Sequence, residues 1–211
     1  MESVSFTVNG QTAAVDPSHP HLLSALREEL GIMSPKDGCS PSGQCGACTV
    51  LLDGKAIQSC LVSLAKATDS EITTLEGFDE SERVRLANAF ASAGALQCGF
   101  CTPGIMVRTK ALLDAKGRDL DLQTVKSRLG AHLCRCTGYT KILDAVDLLV
   151  EDTVPLPQVP DAVGDDGAKY EGIELALGDR GYVDDIRPEG LLHAALKLTD
   201  HARADIERID T

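Results

Sequence analysis

The distribution of eight cysteines limits this chain more sharply than any other feature, because they fall into two sets of four. The first set is Cys39, Cys45, Cys48 and Cys60, spaced C-x5-C-x2-C-x11-C within GCSPSGQCGACTV and QSCL. The second is Cys98 and Cys101 in QCGFCTPG with Cys134 and Cys136 in LCRCTGY, spaced C-x2-C-x32-C-x1-C. Thiols that merely fill cores do not gather at short fixed spacings, so these sets point to metal binding or redox chemistry. The formal charge of −12 argues against nucleic acid and anionic membrane surfaces as partners. No stretch of about 20 apolar residues is present, and the start MESVSFTVNG lacks the pattern of an export signal. The expectation is a cytoplasmic protein, whose reducing surroundings disfavour structural disulfides. Aromatic residues make up only 3% and there is no Trp, so small domains need stabilisation beyond their cores, which metal clusters would provide.

The order of patterns predicts an α+β chain. Residues 3–15 read as two strands joined at Asn9-Gly10, and a second strand pair turns at Asp53-Gly54, both favourable for type I′ turns. Between them, Leu22, Leu23, Leu26 and Leu30 recur at helical spacing, Gly31 is placed to end the helix, and 34–46 is a loop rich in Gly, Pro and Ser. From Asp79 onward the periodicity is helical, through Leu112 and Leu113, then Leu122, Val125 and Leu129, then Ile142, Leu143, Val146, Leu149 and Val150. The expected organisation is a sheet domain over 1–76, a helical domain over 77–152, an extended proline-bearing linker over 153–178, and an incomplete segment over 179–211. In that last part, 191–198 reads as a strand or buried helix that needs more protein to pack against.

In the first set, three thiols on one glycine-rich loop with a fourth beyond a hairpin approximate the plant-type ferredoxin arrangement, C-x4-C-x2-C with a distant Cys, that holds a [2Fe–2S] cluster. Small residues at Ser40, Ser42, Gly43, Gly46 and Ala47 let backbone N–H groups reach the cluster sulfurs. In the second set each pair falls between helices, with Pro103 suited to a first helical turn and Gly138-Tyr139 opening the last helix, so the thiolates sit near positive dipole ends. Zinc is the competing ligand for this set, although C-x1-C is cramped around one tetrahedral ion. A thioredoxin-type CxxC lacks its βαβ context.

His19, His21, His132, His193 and His201 have no mutual ligand spacing and read as surface or core histidines. Asp165-Asp166 and Asp184-Asp185 read as solvated loops rather than catalytic pairs. No residue in the chain reads as catalytic, and one-electron transfer is the chemistry it supports.

GCSPSGQCGACTV, QCGFCTPG and LCRCTGY, taken together and in this order, resemble the iron–sulfur part of the xanthine oxidase and aldehyde oxidoreductase family of molybdenum hydroxylases, over residues 1 to about 150. The resemblance implies a ferredoxin-like β-grasp domain holding an outer [2Fe–2S] cluster at Cys39, Cys45, Cys48 and Cys60. It further implies a four-helix domain holding an inner [2Fe–2S] cluster at Cys98, Cys101, Cys134 and Cys136. Gln97 and Cys136 then match the positions that touch a molybdenum–pterin cofactor carried by a large partner subunit or domain. The family reaction is hydroxylation of an aldehyde or aromatic heterocycle with oxygen from water. Electrons leave through the inner and then the outer cluster to a flavin subunit or a soluble carrier. One departure is the loop between Cys39 and Cys45, five residues where the family usually has four, which Gly43 can absorb as a bulge. The tail GDRGYVDDIRPEGLLHAALKLTDHARADIERIDT is similar to the opening of the family's molybdenum-binding part. An independent two-cluster electron carrier and a zinc-stapled interaction module are the alternatives.

Overall fold

Two hairpins set the sheet, and both turn where the sequence supplies residues that tolerate positive φ. Asn9 and Gly10 take φ of 50° and 76°, joining β1 (Val4–Val8) to β2 (Gln11–Val15); Asp53 and Gly54 take 48° and 74°, joining β3 (Thr49–Leu52) to β4 (Lys55–Gln58). A short β5 (Glu71–Thr73) completes a mixed sheet of order β2-β1-β5-β3-β4, in which β1 and β5 run parallel and the other neighbours antiparallel. Across this sheet lies α1, an α-helical turn (Leu22–Ser24) that widens into a π-helix (Ala25–Glu29). The wider turn closes with the Leu30 N–H donating to the Ala25 carbonyl at 3.1 Å, so the regular helix expected from the leucine spacing is altered in its second half. Phe6, Val8, Leu22, Leu26, Val50 and Ile72 are buried together beneath it, with α2 (Leu64–Ala67) alongside.

The chain then turns helical, through α3 (Glu80–Ser92), α4 (Thr102–Lys116), α5 (Leu122–Leu129) and α6 (Thr140–Glu151). Asp121 caps α5 by accepting from the Thr124 N–H at 2.8 Å. Leu86, Phe90, Ile105, Met106, Ile142 and Leu149 form the helical core, joined by Leu51 of the sheet, so α4 packs directly on β3. A β-sheet domain and a helical domain thus form one mixed α and β body.

The computed structural model describes residues 3–158, 160–164 and 167–208, and falls into two compact units, up to Arg180 and from Gly181. Asp165-Asp166 lies outside the described residues. The segment expected as an extended linker differs from that expectation: it contains a short helix, α7 (Gly172–Leu177), that buries Leu175, Ala176 and Leu177 against α3 and α4. Its three prolines suppress regular structure only up to residue 160, and the apolar face of α7 becomes visible as such only once α3 and α4 present a groove. In the second unit, 191–198 forms neither strand nor helix, and Leu192, Leu196 and Leu198 are exposed.

Candidate metal centres

The loop after α1 brings the first three cysteines round to the fourth. Cys45, Cys48 and Cys60 are buried and Cys39 is half-exposed at the rim. Cys45 has the Cys39 sulfur as its neighbour and Cys60 that of Cys48, each raising its partner's thiol. Positive φ at Ser40 (61°), Gly43 (68°) and Gly46 (69°) lets the loop curl. Gly46 also has no room for a side chain, since a Cβ there would lie 2.6 Å from the Ala131 carbonyl oxygen, whereas one on Gly43 would lie 2.7 Å from Cδ1 of the exposed Leu61 and need only that side chain to shift. Burial works against ionising the Cys39 thiol, yet hydrogen bonds from Ser42 and from the Gln44 and Cys45 amides bring it down to about 6. Burial, reinforced by the neighbouring Cys48 sulfur, pushes Cys60 up to about 12.

The second set assembles at the ends of the helices. Cys101 is the N-cap of α4, with Pro103 in its first turn as the sequence predicts, and Tyr139 opens α6 with φ of 71°. Cys98 and Cys136 bring their sulfurs to 3.5 Å, and Cys101 partners Cys134. The Tyr139 hydroxyl clasps the loop between them, accepting from the Cys134 N–H at 2.9 Å and donating to the His132 carbonyl at 3.0 Å. Burial raises the Cys101 thiol, and the Cys134 sulfur adds to the shift. At Cys134 burial opposes ionisation, but hydrogen bonds from the Thr137 hydroxyl and amide outweigh it and lower the thiol. Gln97, exposed, donates to the Cys136 carbonyl at 3.0 Å, so both residues expected at a cofactor edge meet at the surface.

All eight thiols are free. They approach in pairs, and among the described residues no three His, Cys, Asp or Glu side chains converge closely enough to enclose one ion. A separation of 3.5 Å is far beyond a disulfide bond of about 2.0 Å. It is near the roughly 3.8 Å spanned by two metal–thiolate bonds of about 2.3 Å meeting at a tetrahedral angle. That spacing, measured for Cys98 and Cys136, together with the mutual influence of Cys39 on Cys45, Cys48 on Cys60 and Cys134 on Cys101, fits one pair of thiols for each iron of a two-iron cluster.

The two loops meet, a feature the sequence does not reveal. The Leu133 N–H donates to the Cys45 carbonyl at 2.9 Å, and a Cβ on Gly38 would lie 3.0 Å from Phe100 Cε1 and 3.2 Å from Cys45 Sγ. His132, only 1% exposed, sits at this junction with Nδ1 buried and no hydrogen-bond partner among the described residues. Burial, with the Arg108 guanidinium beside it, lowers its pKa to about 4 and keeps it neutral. A lone histidine with no ligand spacing gave no sign of this position. His19, in contrast, pairs with Glu29 at 2.9 Å on the surface.

Comparison with known proteins matches both parts of the chain to iron–sulfur domains. A 2Fe-2S iron-sulfur cluster binding domain matches residues 6–76, and a [2Fe-2S] binding domain matches residues 74–147. The xanthine dehydrogenase iron-sulfur-binding subunit of Escherichia coli O157:H7 is 44% identical, the alignment covering 68% of this chain and 91% of that subunit. The chain belongs to the iron–sulfur family of the molybdenum hydroxylases. The aldehyde oxidoreductase of Megalodesulfovibrio gigas is 35% identical over 97% of this chain but only 24% of its own length. The crystal structure of the aldehyde oxidoreductase from Desulfovibrio desulfuricans superposes with a TM-score of 0.77 at 33% identity, covering 90% of this chain and 23% of that one. The chain therefore spans nearly all of a separate iron–sulfur subunit and about a quarter of the single-chain relatives. Within this family it is an electron-transfer component with two [2Fe–2S] domains.

Proposed function

We propose that the chain is the electron-transfer part of a molybdenum hydroxylase that oxidises an aldehyde or N-heterocycle, with water as the oxygen source. In this reading 1–76 is a ferredoxin-like β-grasp domain whose Cys39, Cys45, Cys48 and Cys60 hold the outer [2Fe–2S] cluster. Residues 77–152 form a four-helix domain whose Cys98, Cys101, Cys134 and Cys136 hold the inner one. The pairing of thiols into two separate quartets carries the proposal. When bound, the clusters supply one-electron steps between a two-electron reaction at molybdenum and an external acceptor.

The chain's own residues hold, position and insulate. Buried Cys45, Cys48 and Cys60 keep water from one side of the outer site, while half-exposed Cys39 marks the side open to a flavin subunit or soluble carrier. Exposed Cys98 and Gln97, with Cys136, mark the face that meets the molybdenum–pterin cofactor of a partner subunit or domain. Residues 153–178 then lead to 179–211 as the beginning of a molybdenum-binding part, which accords with the alignment of 97% of this chain to a single-chain aldehyde oxidoreductase. A cytoplasmic location fits eight free thiols. None of the described helices is long and apolar enough to cross a membrane.

Metal analysis and low-temperature EPR of the reduced protein test the proposal. About four irons per chain and two distinct rhombic signals are expected. Zinc without acid-labile sulfide would overturn it, and a preparation with iron but neither molybdenum nor pterin in any accompanying subunit would mark a free electron carrier instead.

A further inference from the structure

Helix α7 lies outside both cluster-domain matches, yet it is seated on the ligand loop of the second set. A Cβ on Gly99 would fall 2.9 Å from both Leu175 Cβ and the Leu175 carbonyl oxygen, and Gly99 holds φ of 77° between Cys98 and Cys101. No side chain fits between them, so the loop backbone is seated directly on the helix. The Gly99–Phe100 peptide matters because its N–H, on Phe100, donates to the Cys98 sulfur. At its far end α7 stops at Gly178, where a Cβ would lie 3.2 Å from both Ser34 Cα and Lys36 Nζ, and 3.3 Å from Pro103 Cγ. Both ends of the segment are fastened to α3: Ser92 donates to the Pro155 carbonyl at 3.1 Å, and Arg83 pairs with Asp179 at 3.5 Å.

We propose that Leu175 is a positioning residue for the inner cluster, its Cβ and carbonyl oxygen holding the Gly99–Phe100 peptide so that its N–H stays aimed at the Cys98 sulfur. The inference rests on the iron–sulfur reading above and adds to it a residue from the segment beyond the cluster domains. An N–H aimed at a ligand sulfur stabilises the reduced, more negative cluster, so relaxing it lowers the reduction potential.

The test is a redox titration followed by EPR on the full chain, purified with any accompanying subunit. Leu175→Gly, which removes the Cβ that lies against Gly99, is expected to shift the inner-cluster midpoint to a more negative value and alter that signal's g-values, leaving the outer signal unchanged; Leu175→Ala, which keeps that Cβ, should leave both signals as they are. Leu177→Gly serves as a control for the lost helix propensity, because Leu177 is equally buried on α7 but is not among the atoms nearest a Cβ on Gly99. An inner midpoint unmoved by Leu175→Gly, or moved equally by Leu177→Gly, overturns the proposal. If Leu175→Gly does not yield folded protein, Gly99→Ala, whose Cβ would collide with Leu175, should move the inner midpoint, and no movement would be equally decisive. Absence of the second signal from the unmodified protein would instead overturn the iron–sulfur reading itself.

Discussion

The backbone N–H of Leu133 donates to the carbonyl of Cys45 at 2.9 Å, a hydrogen bond that ties the residue before one member of the second cysteine set to a member of the first. Gly46 makes the approach possible. At φ of 69° and with the Ala131 carbonyl oxygen 2.6 Å from where a Cβ would stand, Gly46→Ala meets both a left-handed backbone penalty and a backbone collision. The backbone conformation alone costs about 1–2 kcal/mol. The variant is expected to melt several degrees lower and to purify with less iron. A thermal midpoint equal to that of the unmodified protein would show that the two loops do not depend on this contact.

The pairing of sulfurs makes a prediction about ligand loss. Cys136 stands 3.5 Å from Cys98 and belongs to no other quartet, so Cys136→Ser should remove the inner EPR signal and leave about two irons per chain with the outer signal intact. The helical domain should also lose stability, since cluster binding energy is folding energy. Full iron content in this variant would exclude the second set as a cluster site.

Legibility in the sequence followed the range of the forces involved. The Asn9-Gly10 and Asp53-Gly54 hairpins were readable because positive φ is a local demand met by local residues, and both turns realise it at those positions. Helix α6 was readable because Ile142, Val146 and Leu149 mark one continuous apolar face. Helix α7 was not. Six residues are too few to show a period, and the burial of Leu175 comes from Gly99, far away in the chain. His132 was equally hidden, because its burial comes from Gly46 and Arg108 rather than from its neighbours in LCRCTGY. The cysteine quartets could be proposed from spacing, but the shared junction of their loops depends on tertiary packing of α4 against β3.

In the iron-free chain the thiols should differ in reactivity. Cys39, half-exposed and lowered to about 6, is mostly thiolate at neutral pH, whereas buried Cys60, raised to about 12, is protonated. The thiolate is the nucleophile, so alkylation at pH 7 should label Cys39 well before Cys60, with a Cys39 rate that climbs through about pH 6 and then levels. Peptide mapping after brief iodoacetamide treatment reads the order. Labelling of Cys60 ahead of Cys39 would contradict the hydrogen-bonding assigned to the loop.

Arg108 joins the two domains through a single side chain. From α4 it reaches the Ala56 carbonyl on β4 at 2.9 Å through Nη1, and lies 3.4 Å from His132 Nε2 through Nε. Arg108→Met keeps much of the apolar stem but removes both donors, leaving the half-buried Ala56 carbonyl and the buried imidazole without them. A hydrogen bond from a charged donor contributes about 1.5–3 kcal/mol, and relief of the cost of burying the guanidinium offsets part of that loss. A net destabilisation of about 1–2 kcal/mol is therefore expected, seen as a lower thermal midpoint of the cluster-loaded protein. Arg108→Lys should fall between the two, because one ammonium on a flexible stem cannot reproduce the fixed two-pronged geometry. If Arg108→Met melts with the unmodified protein, the packing of α4 on β3 holds the domains together without this side chain.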